Sequence, residues 1–128
     1  MHGFRAAGIR SSILLGTQYV LLMEIKFNRA GPAKMEQALE LMKEFYAVEH
    51  LKYDETIARK GLEALFAGPQ FGYFHFMETE GQVGGYIVVT FGFSLEFHGR
   101  DALVDELYVR EEFRGRGFGK AALGFAEA

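Results

Sequence analysis

A glycine-rich, basic segment near the carboxyl end of the chain carries its strongest chemical signal. Arg114–Lys120 reads RGRGFGK, with three glycines in five positions and three cationic side chains. An apolar run that predicts a strand precedes this segment, and an amphipathic run that predicts a helix follows it. Backbone N–H groups at a helix start, next to cations, bind anions such as phosphates. The segment therefore predicts a site for a phosphate-bearing ligand.

The spacing of the glycines excludes two common phosphate-binding motifs. The dinucleotide motif G-x-G-x-x-G would need glycine where Lys120 stands. The Walker loop G-x4-G-K-[ST] would need glycine in place of Arg114 and a hydroxyl in place of Ala121. The pattern that fits is R-x-x-G-x-G, read from Arg114, Gly117 and Gly119.

Two adjacent acids precede the loop in a predicted strand. Ala102–Val109 reads ALVDELYV, an apolar run that includes Asp105 and Glu106. A carboxylate can accept the proton of an alkyl ammonium, whose ordinary pKa of about 10.4 keeps it protonated at neutral pH. Neighbouring side chains of a regular strand point to opposite faces, so we expect the two acids to face different sides. Either acid is a candidate proton acceptor, and capping a loop or pairing with an arginine is the structural alternative.

Composition removes several other kinds of site. The chain has 128 residues and no cysteine, which excludes disulfides, thiolate zinc sites and cysteine nucleophiles. Its 14 basic and 17 acidic residues give a net charge of −3, which argues against a nucleic-acid partner. The four histidines show no metal-ligand spacing, and no G-x-S-x-G nucleophile motif is present, so we expect neither a metal nor a covalent intermediate.

Periodicity predicts the elements that must position these residues. From Met23 onward the predicted order is β-α-α-β-β-β-α, with Asp54 as the N-cap of the second helix and 95–101 as a polar loop. Residues 1–22 form an extension whose status the residues leave open between a targeting segment, an additional strand and an upstream addition. Their apolar run is too short for a membrane-spanning helix, and we expect no membrane partner. The domain boundaries are thus 1–22 and 23–128.

The segment Leu107–Lys120 resembles the fourth strand, pyrophosphate loop and third helix of the GNAT superfamily of N-acetyltransferases. The element order upstream matches from Met23. The stretch Thr90–Asp101, followed by Val104–Leu107, is similar to a bacterial branch near the diamine acetyltransferases. Glu111 stands where many relatives carry proline. The resemblance implies an α/β fold of the α+β type, a mainly antiparallel mixed sheet flanked by helices, with the C-terminal part of the family domain missing.

The resemblance further implies a cytoplasmic, acyl-CoA-dependent N-acetyltransferase. It would transfer an acetyl group from acetyl-CoA to a primary amine of a small molecule, polyamine or amino-acid-like, by direct attack in a ternary complex. In the family, the N–H of Val109 would face the thioester oxygen, and Asp105 matches the catalytic acid of the diamine branch, with Glu106 as the competitor. The implied cofactor-binding residues are Leu107, Tyr108, Val109, Arg114, Gly115, Arg116, Gly117, Phe118, Gly119 and Lys120.

Substrate contacts and partners follow from the same resemblance. The first two helices and their connection contribute amine specificity in the family, which points to Tyr46, Glu49, Tyr53 and Asp54. The general acid, commonly a tyrosine on a fourth helix, is not assigned. The alternatives are an acetyl-CoA-binding fragment or interaction module without turnover, and a nucleotide-binding α/β domain. We also expect self-association, as a homodimer or otherwise, because 102–109 would form an unprotected sheet edge unless 11–22 folded back to cover it.

Overall fold

The computed structural model describes residues 8–15, 18–96 and 99–127. Within these ranges one antiparallel sheet has the strand order β1-β2-β3-β4-β5, and three α-helices flank it. The α+β class, the antiparallel sheet and the order from β2 onward confirm the prediction. The elements in chain order are β1 Gly8–Leu15, β2 Gln18–Arg29, α1 Met35–Val48, α2 Glu55–Phe66, β3 Gly72–Thr79, β4 Gln82–Ser94, β5 Gly99–Val109 and α3 Phe118–Glu127.

The strand boundaries correct two sequence predictions. Strand β2 begins at Gln18 instead of Met23, and Gly8–Leu15 forms a further strand paired with it. Residues 1–7, 16 and 17 lie outside the described residues. The loop predicted at 95–101 is too long, because β5 already begins at Gly99. The polar residues at 99–101 predicted a loop, but they lie in the strand, where Asp101 pairs with Gly92 of β4.

Two separate hydrophobic clusters cover the two faces of the sheet. Helices α1 and α2 cover the face that carries Phe74, Tyr86 and Tyr108, called here the helix-pair face. Helix α3 covers the opposite face, which carries Phe27 and Ile87 and is called the α3 face. Strand β4 is buried on both sides, with consecutive residues 86–89 alternating between the clusters. This burial explains its near-continuous apolar sequence.

Helix α2 starts where its sequence predicts. The side chain of Asp54 accepts a hydrogen bond from the Ile57 amide at 3.1 Å, so the predicted N-cap is confirmed. Helix α1 follows a single 3₁₀ turn at Pro32–Lys34, and proline suits such a start because its missing N–H would have no partner there. Side chains of α1 reach β5 through Tyr46 and Glu44, whereas α2 packs against α1 and β3.

Strands β1 and β5 are the two edges of the described sheet. The alternative in which residues 11–22 cover β5 is therefore wrong, because β1 pairs with β2 at the opposite edge. Self-association through the β5 edge stays a prediction, testable by light scattering over a range of protein concentrations. A monomer at every concentration would contradict it.

Candidate active site

The loop between β5 and α3 is held against the sheet by two phenylalanines. Phe113, in a 3₁₀ turn, and Phe118, at the start of α3, are buried and pack edge to face with ring centroids 5.5 Å apart. Both rings lie over Gly84 of β4, where an added Cβ would come within 2.8 Å of either ring. The glycine at 84 therefore lets the loop and the helix start approach the sheet closely.

The glycines of the loop leave the start of α3 open. Gly115 and Gly117 have φ values of 74° and 87°, in the left-handed region that favours glycine. A Cβ placed on Gly115, Gly117 or Gly119 would meet nothing within 4 Å. The amide of Ala121 donates to the Gly117 carbonyl at 2.9 Å, which is the first hydrogen bond of the helix. The amides of 118–120 come before it and therefore have no acceptor within the helix. An anionic group has both space and donors here.

Three exposed cations surround this open helix start. Arg114, Arg116 and Lys120 are all exposed, so the loop is locally positive in an acidic chain. Arg114 donates from Nε to the Val109 carbonyl at 3.0 Å, and the guanidinium of Arg116 lies 5.3 Å from the centre of the Phe113 ring. Amides, cations and open space together fit a pyrophosphate group.

The backbone of β5 presents donors at its open edge. The amide of Arg110 donates to the Gly84 carbonyl at 2.7 Å, which directs it toward β4. Because amides alternate in direction along a strand, the amide of Val109 points away from β4. The Val109 carbonyl, which accepts from Arg114, lies on the same outer side. A ligand along this edge would therefore meet the Val109 N–H.

A salt bridge that the sequence analysis missed ties the end of β5 to α1. Arg110 donates from Nε and a terminal nitrogen to both carboxylate oxygens of Glu44, at 3.0 and 2.7 Å, and to the Val83 carbonyl at 3.2 Å. Tyr108 donates to Glu44 at 3.1 Å, so its buried side chain faces α1. The hydrogen bond from Arg110 lowers the pKa of Glu44. No sequence signal pairs residues 66 positions apart.

A cavity of about 370 Å³ lies between α1, α2 and the β4–β5 pair, and both candidate acids line it. The expectation that Asp105 and Glu106 face opposite sides is wrong, because a β-bulge interrupts the alternation. Val88 pairs with Glu106 and Val89 with Val104, which leaves Asp105 as the extra residue. The bulge turns two adjacent carboxylates toward one cavity.

Two tyrosine hydroxyls hold the Glu106 carboxylate. Tyr46 of α1 donates to one oxygen and Tyr86 of β4 to the other, both at 2.7 Å. Burial, with the nearby Glu106 charge, raises the pKa of both hydroxyls above the ordinary tyrosine value, so both stay protonated donors at neutral pH. Tyr86 escaped sequence analysis because it lies within an apolar strand. Asp105, in contrast, is exposed.

The predicted substrate residues are only partly brought together. Tyr46 lines the main cavity, and its ring packs edge to face on Tyr53, with centroids 5.8 Å apart. The Tyr53 hydroxyl donates to the Leu39 carbonyl oxygen at 3.4 Å. Asp54 caps α2 and lines a neighbouring cavity of about 190 Å³. Glu49 is exposed at the end of α1 and lines neither cavity.

The described residues form neither a metal-ion cluster nor a membrane-spanning helix. Within residues 8–15, 18–96 and 99–127, no group of three or more histidine, aspartate or glutamate side chains is arranged to hold a metal ion. None of the helices in those ranges is long and apolar enough to cross a membrane.

Comparisons with known proteins identify the family and the fold. The family model described as "Acetyltransferase (GNAT) family" matches residues 35–128. The integron cassette protein HFX_CASS3, from the mobile metagenome of Cole Harbour Salt Marsh, is 32% identical with a TM-score of 0.74, over 79% of this chain and 66% of its own. A possible acetyltransferase from Clostridium difficile 630 has the same fold, with 20% identity and a TM-score of 0.69. The match covers 83% of this chain and 69% of that protein. The chain thus spans about two thirds of the length of these structures. No curated protein gave a significant match.

Proposed function

This chain belongs to the acetyltransferase (GNAT) family, and on that premise we propose that it transfers an acetyl group from acetyl-CoA to the primary amine of a small molecule. One observation carries the proposal: β5 joins both halves of such a site. Asp105 and Glu106 line the cavity in the middle of this strand, and the strand ends at Val109, next to the anion-binding loop. The acceptor and the cofactor would meet along four residues of backbone, 106–109.

The cofactor half fits the pyrophosphate and pantetheine parts of CoA. The amides of 117–120, with the cations of Arg114, Arg116 and Lys120, would hold the phosphates where the loop leaves open space. Leu107, Tyr108 and Val109 would bind through backbone, since the Tyr108 side chain is committed to Glu44. Acetyl-CoA would supply the thioester-linked acetyl group.

The acceptor half must remove a proton from the incoming ammonium. Asp105 is the stronger candidate for this role, because it is exposed and lines the cavity, and among the described residues no hydrogen bond or ion pair occupies its oxygens. Both Glu106 oxygens already accept hydrogen bonds, so Glu106 is better suited to orient a cationic group. Direct or water-mediated transfer to Asp105 frees the nitrogen lone pair for attack on the thioester carbon.

The backbone amide of Val109 completes the proposed chemistry. As the amine attacks, negative charge develops on the thioester oxygen, and a fixed N–H at the open edge of β5 stabilises that charge. The Arg110–Glu44 pair positions this amide, because it fixes the residue next to Val109 against α1. The carbon–sulfur bond then breaks, and CoA leaves as the thiolate. The nitrogen loses its remaining excess proton and the thiolate gains one, so the products are the N-acetylated amine and the free thiol of CoA.

Acetyl-CoA-dependent release of free thiol, measured with primary amines, tests the function. We expect thiol release that requires both acetyl-CoA and amine, and no acetylated protein by mass spectrometry when amine is omitted. Binding of CoA by calorimetry without thiol release would favour a binding module instead. Preferential binding of ATP over CoA would favour a nucleotide-binding domain.

A further inference from the structure

The cavity beside Asp105 and Glu106 also indicates which amines fit. Resting on the proposed function, we propose that the acceptor is a monoamine with an apolar body, such as an alkylamine or arylalkylamine. Polyamines and α-amino acids would then be poor ligands. Three features of the cavity lining carry this inference: where its charge lies, what forms its walls, and which charges its lining lacks.

The anionic groups of the cavity lie together at one end. Asp105 and Glu106 are consecutive on β5, and the Tyr46 hydroxyl that bonds to Glu106 lines the same end. Thr90 of β4 is the remaining polar side chain of the lining. An ammonium group would therefore bind at this end, and it would enter with its nitrogen toward β5.

The walls away from β5 are apolar, and two exposed apolar side chains lie where those walls meet solvent. The α1 and α2 side chains of the lining include Met42, Leu62 and Leu65, which belong to the hydrophobic cluster of the helix-pair face. Ile57 and Phe71 also line the cavity, yet 70% of Ile57 and 53% of Phe71 is exposed. Large apolar side chains exposed at the mouth of a concave site fit a ligand whose outer part is apolar.

The lining lacks the charges that polyamines and amino acids would need. No lysine, arginine or histidine side chain lines this cavity among the described residues, and Lys52 lines only the adjoining one, so the carboxylate of an α-amino acid bound beside Asp105 would meet no cation in the lining. A second ammonium, one chain length from the first, would lie along apolar walls such as Leu62 and Phe71, since Asp54 caps α2 and lines the adjoining cavity instead. Burying an unpaired charge is unfavourable, and both classes are disfavoured for that reason.

Matched pairs of ligands test the inference by calorimetry, independently of turnover. Hexylamine and cadaverine have similar length, and cadaverine carries a second ammonium; phenethylamine and phenylalanine differ by one carboxylate. In each pair we expect the monoamine to bind at least about tenfold more tightly. Equal affinities, the reverse preference, or no binding of either monoamine would overturn the inference.

A substitution at the exposed end of the cavity provides a second test. Ile57→Glu adds a carboxylate at a side chain that is already 70% exposed, so the fold tolerates it. We expect the preference for hexylamine over cadaverine to fall about fivefold or more. Leu123→Glu, at a half-exposed position on α3, is the matched control and should leave the preference unchanged. An equal preference in the wild-type protein and both variants would contradict the assigned orientation of the ligand.

Thiol release separates a failure of this inference from a failure of the proposed function. Monoamine-selective binding without any acetyl transfer would support the inference and contradict the acetyltransferase activity. Acetyl transfer that favours cadaverine or phenylalanine would support the activity and overturn the inference.

Discussion

The two faces of the sheet are stabilised by different kinds of contact. On the helix-pair face, carboxylates, tyrosines and an arginine are linked by hydrogen bonds of 2.7–3.1 Å around Glu106 and Glu44. On the α3 face, aromatic rings pack together, with Phe27 and Phe125 stacked at 4.1 Å. His75 lies buried there, and neither ring nitrogen has a hydrogen-bond partner among the described residues.

This difference matches what the proposed function requires of each face. Hydrogen bonds fix the direction of a carboxylate, which acid–base chemistry and recognition of an ammonium both require. Aromatic packing without polar groups fixes the position of a helix, which suffices where backbone amides are proposed to bind the ligand. We therefore expect variants around Asp105 and Glu106 on the helix-pair face to change acetyl transfer, and variants of the α3 side to change cofactor binding or stability. The Arg110–Glu44 pair, at the end of β5, lies next to the cofactor loop and should affect CoA binding.

The largest effect is expected at the helix start above the α3 face. Gly119→Val should weaken CoA binding at least about a hundredfold, because the side chain enters the space in front of the amides. Gly117→Val should do the same but also strains the backbone, since φ there is 87°. Gly124→Val, also in open space on α3, is the control and should bind CoA normally. Unchanged CoA affinity of Gly119→Val in calorimetry would remove the cofactor loop assignment.

On the helix-pair face, Asp105→Asn should lower kcat/KM for the amine by about a hundredfold, because the amide cannot accept the proton. The affinity for CoA should stay within about twofold of wild type, since Asp105 lies outside the loop. Glu106→Gln serves as the comparison, with a smaller expected loss of kcat/KM. A larger loss in Glu106→Gln would assign proton acceptance to Glu106.

Tyr46→Phe removes one of the two donors to Glu106 and leaves the ring in place. The loss of one oriented hydrogen bond should lower kcat/KM about fivefold. The free energy of unfolding should change by about 1 kcal/mol or less. Steady-state kinetics and urea unfolding measure the two quantities. A large stability loss with unchanged kinetics would make this hydrogen bond purely structural.

Arg110→Lys tests whether the clamp to α1 positions the end of β5. Lysine keeps the charge but cannot bond both Glu44 oxygens in a planar pair, so we expect about a threefold weaker affinity for CoA. Arg59→Lys is the control, because Arg59 makes the same kind of pair with Glu36 away from the strand. Equal CoA affinities in both variants would show that the clamp does not position the site.

At neutral pH, His75→Leu should leave acetyl transfer unchanged. We expect the substitution to change how the free energy of unfolding depends on pH. Burial lowers the pKa of His75 to about 4 from an ordinary 6.5, and the charge of Arg29 adds to the shift. Between these values the unfolded chain binds a proton that the folded chain excludes. The free energy of unfolding of the wild type should therefore fall as the pH drops from 6.5 to 4, by on the order of 3 kcal/mol.

The variant lacks this titration, so it should lose less stability over the same range of pH. Denaturant unfolding at several pH values gives the comparison directly. Parallel pH profiles of the two proteins would show that His75 is not held neutral by its surroundings.

Local signals made much of the fold and the loop predictable. The N-cap at Asp54 and the glycines at 115–119 act within a few residues, so sequence spacing is enough to find them. The start of β2 was missed because the hydrophobic run before Met23 resembles several kinds of segment, and only pairing with β1 identifies it as a strand.

The arrangement of the acids depends on long-range pairing and was not predictable. Asp105 faces the cavity only because β5 carries one more residue than β4 between two ladder pairs. Tyr86 and Glu106 are 20 residues apart, and Tyr46 and Glu106 are 60 apart. Alternation in the strand sequence predicts opposite faces, and it fails at a bulge.

The central claim is that β5 carries both halves of an acetyl-transfer site, and product stoichiometry tests it most directly. Protein, acetyl-CoA and hexylamine would be mixed, and free thiol and N-acetylhexylamine would be quantified together by thiol titration and mass spectrometry. The proposal predicts equimolar thiol and N-acetylated amine at a rate proportional to protein concentration. CoA binding in calorimetry with no N-acetylated product from any primary amine would contradict it.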